Sequence, residues 1–237
     1  MNQTVQPLIQ HLHRLNAKRE LVERMGQLDN IHQLQAWQCE RLLASHQDLA
    51  QQKRYQDAMS FFVDELYGPK DFSQRDADIA RVIPKLAKVL PDKAMLALED
   101  AIALNALSFD LDLEVTEALE GQEINRDTYA VAYRKVGRQA DRQKQLDLIY
   151  DLGMQLNDVI KIKGIGMLIK FARRPAKIAG LLTLHEFLER GFNAFKVIGD
   201  VHGFVDPVIT REKELMETLL SPDTDLTQHN PLPHVKI

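Results

Sequence analysis

Apolar residues recur along this chain at every third or fourth position, and no stretch alternates with a period of two. That spacing writes helices rather than strands. It predicts a helix over 5–25, with Leu8, Leu12, Leu15 and Val22 on one side, and another over 30–50, with Ile31, Leu34, Trp37, Leu42 and Leu49. Further helices are predicted over 53–67, 73–90, 92–119, 126–160, 175–198 and 205–220. Pro84 is expected to kink or split the fourth, because proline lacks an N–H and crowds the carbonyl four residues back. Gly137 and Gly153 are weak points in 126–160, which reads as one long helix or as two. A basic, glycine-containing connector leads into 175–198. The stretch 222–237 holds three prolines and scattered polar residues, so it reads as an irregular or disordered tail. The pattern as a whole predicts an all-α protein: one domain over 1–221, a bundle of about eight helices with short connections, then the tail.

Composition narrows the setting. The 237 residues carry a net charge of −4, which gives no global field toward nucleic acid, and no nucleic-acid partner is expected. The only cysteine, Cys39, allows no internal disulfide and no cysteine-cluster zinc site, which fits a reducing compartment. Residues 1–14 are polar and lack an apolar signal core, and no apolar run reaches the roughly 18 residues a membrane span needs. The expectation is a cytoplasmic protein without a transmembrane segment.

The densest block runs from Arg54 to Ser73. At about 100° per residue, Tyr55, Ala58, Met59, Phe62, Val63 and Leu66 share one core-facing arc. Asp57 and Asp64 fall opposite, toward water, with Glu65 at the margin. Adjacent acids on a helix point apart, so Asp64 and Glu65 are not expected to meet on one atom. Gly68 suits the left-handed position that closes a helix, and Pro69 stops its continuation. Ser73 offers an N-cap, Asp76 a capping-box partner and Phe72 a hydrophobic staple. Fold specification explains every one of these features and is favoured over a functional site at this corner.

The run Phe61-Phe62-Val63-Asp64-Glu65-Leu66-Tyr67 resembles the signature of the bacterial FFLEELY motif proteins, with Val-Asp where that signature has Leu-Glu. The likeness continues through Gly68–Phe72, Arg75-Asp76, Ala132–Gly137 and Phe187–Phe195, covering most of the chain outside the tail. That family has no assigned activity, so the resemblance implies no catalytic residue.

Three constellations remain as candidates. On 92–119, Asn105, Ser108 and Asp112 lie on the apolar side, away from an acidic stripe of Glu99, Asp100, Asp110, Glu114 and Glu117. A buried Asp needs a cation or several hydrogen bonds, and Arg75, Arg81 or Arg134 are the expected partners. The group reads either as a satisfied core network or as the polar lining of a cavity. His185 sits among Leu181, Leu188 and Phe192, with Glu189 one turn on. A buried, hydrogen-bonded histidine is favoured over a metal or haem role, since no HExxH or second histidine pair answers it. Finally, Lys161, Lys163, Lys170, Arg173, Arg174 and Lys177 bring six cations without an acid, interleaved with apolar residues. That segment is a solvated helix end, or it contacts an anionic membrane or acidic ligand.

There is no GxSxG, and the lone Gly164–Gly166 pair carries no nucleotide site. No catalytic motif, metal site or cofactor is predicted, and the balance leans against an enzyme. The leading expectation is an interaction or adaptor module that uses an exposed helix face and the basic 161–177 segment. The alternatives are a small-molecule or lipid-binding bundle with a polar-lined cavity and, third, peripheral membrane association. Sequence leaves the oligomeric state open.

Overall fold

The computed structural model describes residues 5–69, 73–88 and 91–235, and among these it holds eleven α-helices and no strand. They are α1 (Val5–Arg24), α2 (Leu28–Ser45), α3 (Gln47–Ala50), α4 (Lys53–Phe61), α5 (Ser73–Leu86), α6 (Asp92–Ala118), α7 (Arg126–Val136), α8 (Gln139–Ile160), α9 (Ile165–Ile178), α10 (Leu182–Ile198) and α11 (His202–Leu220). A π-helical segment, Phe62–Tyr67, extends α4.

The count exceeds the expected eight for identifiable reasons. Gly137 (φ 67°) and Arg138 (φ 53°) are both left-handed and divide 126–160 into α7 and α8. The short helix α3 separates from α2 at His46. The supposed basic connector is itself mostly the helix α9. Pro84 does not split α5, because it stands in the last turn of a helix that ends two residues later.

Helices α6 and α8 pair most extensively and form the centre. Around them lie α1 and α2 against α6, α7 between α6 and α11, and α10 against α4, α5 and α8. One core gathers Trp37, Val115, Tyr129, Tyr133, Leu146 and Met216. A second joins Tyr55, Met59, Phe61 and Phe62 to Phe195, Phe204 and Val205. Phe61, outside the arc expected to be buried, is covered because α10 closes over it. A Cβ on Gly191 would come within 2.8 Å of its ring, so the glycine lets α10 approach.

The segment 222–235 carries no helix and is bound onto α7. Leu226 and Leu232 are buried in the first core. Arg134 donates to the Leu219 and Thr224 carbonyls, and Arg126 to the Asn230 carbonyl.

Candidate functional site

The helix α9 has three faces. Ile165, Ile169, Ala172 and Ala176 follow helical spacing and turn inward onto α10. His185 fixes this contact, its Nε2 bonding the Ile169 carbonyl at 2.7 Å. Gly166 lets the ring of Phe192 approach to 2.9 Å of where a Cβ would stand. Beside the inward face run Lys170, Arg173, Arg174 and Lys177, all exposed. The third face is apolar and in solvent: Met167 is 63% exposed, Leu168 48%, Phe171 74% and Ile178 88%. Sequence reading saw these apolar residues only as interleaved with the cations. The fold separates the two into adjacent stripes.

Of the six cations, Arg173 is neutralised by Glu189 at 2.6 Å and Glu186 at 3.4 Å. Lys170, Arg174 and Lys177 make no ion pair among the described residues. Glu189 therefore serves Arg173 rather than His185, and the i, i+4 couple does not form.

In the π-helical segment Asp64 and Glu65 do not meet on one atom: Arg190 bonds Asp64 through Nη2 at 3.0 Å and Glu65 through Nη1. The Arg54–Ser73 block and the adjoining Asp76 depart from their expected geometry at two positions. Gly68 has φ −62°, not a left-handed value. Glycine is needed there because a Cβ would lie 2.8 Å from the Val63 carbonyl oxygen. Asp76, expected at a helix cap, is buried with its carboxylate held by Arg19, Arg75 and Asn105. Phe72 and the side chain of Ser73 lie outside the described residues.

Asn105, Ser108, Asp112 and His185 do not share one cavity. Asn105 belongs to the Arg19–Asp76 cluster, Ser108 accepts from Gln145, and His185 serves α9. Asp112 alone reaches an internal cavity of about 100 Å³ between α2, α6, α7, α8 and α11. Its hydrogen-bond partners are not the three expected arginines but the amides of Gln35 (3.0 Å) and Gln38 (3.1 Å), and the one arginine whose charge reaches it is Arg142. Arg75 binds Asp76, Arg81 binds Asp78, and Arg134 binds carbonyls.

Sequence reading missed the other polar residues of this cavity. Arg41 grips both oxygens of Glu212 at 2.6 Å, and His46 Nε2 meets Glu212 Oε1 at 2.9 Å. Burial works against the Glu212 charge, but Arg41 with His46 overcomes it and holds the carboxyl down at about 2. Arg142 lies 3.4 Å from the centre of the Tyr133 ring. A signal was present: Glu212 stands among Val205, Val208, Ile209, Met216 and Leu219, and Arg142 shares a face with Leu146 and Ile149. A charge centred on an apolar stripe marks a buried pair. Cys39, whose thiol burial pushes up to about 12, is a neutral thiol.

Residues 18–226 match one family model. The chain belongs to the family described as Domain of unknown function (DUF8198). The DUF8198 match takes in α9, the 62–67 segment and every polar residue of the cavity. No curated protein and no solved structure matches the chain. Among the described residues no helix is long and apolar enough to cross a membrane, and no three metal-ligating side chains cluster.

Asp112 supplies a prediction. Burial raises its carboxyl from 3.8 to about 6, the Gln35 and Gln38 hydrogen bonds only partly opposing. A raised acid costs stability once the unfolded chain ionises, so this cost grows as pH rises from 3.8 through about 6. Asp112→Asn removes it, and the Gln38 amide can turn its unpartnered Oε1 toward the new NH₂. The variant is expected to be more stable than the parent by about 1–3 kcal/mol at pH 8, converging with it near pH 4. Urea unfolding across that range checks this, and a variant less stable than the parent at pH 8 contradicts it.

Proposed function

We propose that the protein is a cytoplasmic, bacterial protein of the FFLEELY type that acts at anionic membrane surfaces, docking peripherally through α9. The observation that supports this is the apolar stripe of Met167, Phe171 and Ile178 in solvent, bordered by Lys170, Arg174 and Lys177, which make no ion pair among the described residues. Lys161 and Lys163 extend the cationic border into the preceding loop. An interfacial helix needs this combination, apolar side chains for the acyl boundary and cations for the headgroups. Fully burying a Phe or Ile side chain stabilises by about 1.5–3 kcal/mol, and each Lys or Arg near an anionic surface adds about 1 kcal/mol. Because α9 is already folded onto α10, docking pays little of the ordering cost that a free amphipathic peptide bears. The convex face of an outer helix also suits a lipid surface better than it suits a peptide.

Co-sedimentation with vesicles of phosphatidylcholine, with and without phosphatidylglycerol, tests the proposal. The parent is expected to bind the anionic vesicles at least about tenfold more tightly, and to weaken as salt rises. Phe171→Glu should reduce binding about 10- to 100-fold, as should the combined Lys170→Glu, Arg174→Glu and Lys177→Glu substitutions. Absent or salt-insensitive binding, an unaffected Phe171→Glu variant, or a Phe171-dependent dimer in solution overturns it.

A further inference from the structure

The cavity between α2, α6, α7, α8 and α11 is a largely covered hollow, and only one of its charge pairs is in direct contact. Arg41 is matched by Glu212 at 2.6 Å. Asp112 is met by two neutral amides. The guanidinium of Arg142, a residue only 5% exposed, makes no direct ion pair among the described residues, although its charge reaches Asp112 and draws that carboxyl down. Its Nε donates to the Gly137 carbonyl at 2.9 Å and its face lies on Tyr133, but its Nη2 has no hydrogen-bond partner among the described residues. Gln38, 8% exposed, gives its NH₂ to Asp112 and Tyr129, while its Oε1 goes unmet. The fully buried His46 likewise leaves Nδ1 without a partner.

Leaving a charged donor and a neutral acceptor unmet in the same interior wall is costly. The left-handed Gly137–Arg138 turn nevertheless sets Arg142 in the first turn of α8, facing its own ring neighbour Tyr133. Apolar side chains complete the wall, among them Leu111, Leu146 and Met216. A mostly apolar enclosure with a few polar groups is the ordinary make-up of a small-molecule site.

We propose that this cavity binds a small organic acid carrying a hydrogen-bond donor, of the hydroxy-acid or short amino-acid class. Its carboxylate takes the free Arg142 Nη2, and its hydroxyl or amino group donates to Gln38 Oε1. Size limits the ligand: a cavity of 100 Å³ is smaller than the roughly 150 Å³ that holds a six-carbon ring, so about four to six heavy atoms fit. Guanidinium–carboxylate pairing away from water supplies the orientation, and it selects against the neutral amide of the same shape. Docking of α9 on lipid neither requires nor follows from this site, since Arg142 stands in the first turn of α8, at the end of that helix away from the loop into α9.

Thermal unfolding and calorimetric titration with lactate, glycolate and glycine, with lactamide as the neutral isostere and sodium chloride at matched ionic strength, test the proposal. One or more of the acids should raise Tm saturably, by about 5–10 °C at a hundredfold excess over Kd. Lactamide and chloride should not, and Arg142→Gln should lose the effect at least tenfold, with Arg142→Lys intermediate. A second measurement uses the parent protein, so that a misfolded variant does not decide the matter: a crystal structure grown with lactate should place its carboxylate on Arg142. Equal shifts with lactamide, no saturable shift with any acid, an unaltered response in folded Arg142→Gln, or water alone in the crystallised cavity each overturn the proposal.

Discussion

Replacing Asp76 by Asn is expected to lower stability by about 3–5 kcal/mol. The Asp76 side chain is 2% exposed and sits between two buried cations, Arg19 Nη1 at 2.6 Å and Arg75 Nη2 at 3.2 Å. These residues tie α1 to α5, and Asn105 adds α6. Each guanidinium lies over an aromatic ring, Arg19 on Phe109 and Arg75 on Phe187, so neither can leave for water without breaking core contacts. The asparagine keeps the volume and loses the charge, and two desolvated cations then face each other without their shared anion. In a chain of 237 residues the loss corresponds to a fall in Tm of about 6–20 °C. Thermal and urea unfolding of the variant measure it. Arg19→Met, Arg75→Met and Asp76→Leu together should recover part of the loss, since removing a whole ionic group costs less than removing one member. A loss below about 1 kcal/mol for Asp76→Asn would mean that the cluster is solvated in solution.

The second large effect is expected at Glu212→Gln, about 3 kcal/mol near neutral pH, because Arg41 loses the carboxylate it grips at 2.6 Å. This effect carries a pH signature. Glu212 is depressed from 4.5 to about 2 in the folded protein. A depressed acid contributes its stability above the unfolded value and loses it as pH falls through the folded one. The gap between parent and variant is therefore constant above pH 4.5 and closes as pH falls toward 2. Comparing the two proteins at each pH isolates Glu212 from Asp112, which acts in the opposite sense. A gap independent of pH between 4.5 and 2 would show that Glu212 contributes shape rather than charge.

Much of the fold was legible because helix formation here is governed by local spacing. Tyr55, Ala58, Met59 and Phe62 fell on the arc that is buried, and Ile31, Leu34, Trp37 and Leu49 did so on α2 and α3. The apolar side of α6 likewise carries Ser108 and Asp112 as buried groups. What spacing could not supply was the partner of each polar group. Asp112 bonds residues 74 and 77 positions away, and Arg41 meets Glu212 across 171 positions. The faces of α9 failed for a related reason. Its cations were visible, but which apolar residues turn outward depends on where α10 lies, and the His185–Ile169 contact that sets this joins residues 16 apart. The Lys161–Lys177 segment therefore read as a connector until tertiary contact gave it an inside and an outside.

A π turn holds one residue more than the α turn it replaces, so the Phe62–Tyr67 segment works as a spacer whose length is counted. Substitutions within it leave that count intact. Deleting any one of the six residues would rotate the outgoing chain by about 100° relative to α4. Arg75 would then lose the Glu65 carbonyl it holds at 2.9 Å, and Arg190 would no longer span two acids. Within this stretch the number of residues constrains the protein more tightly than their identities do.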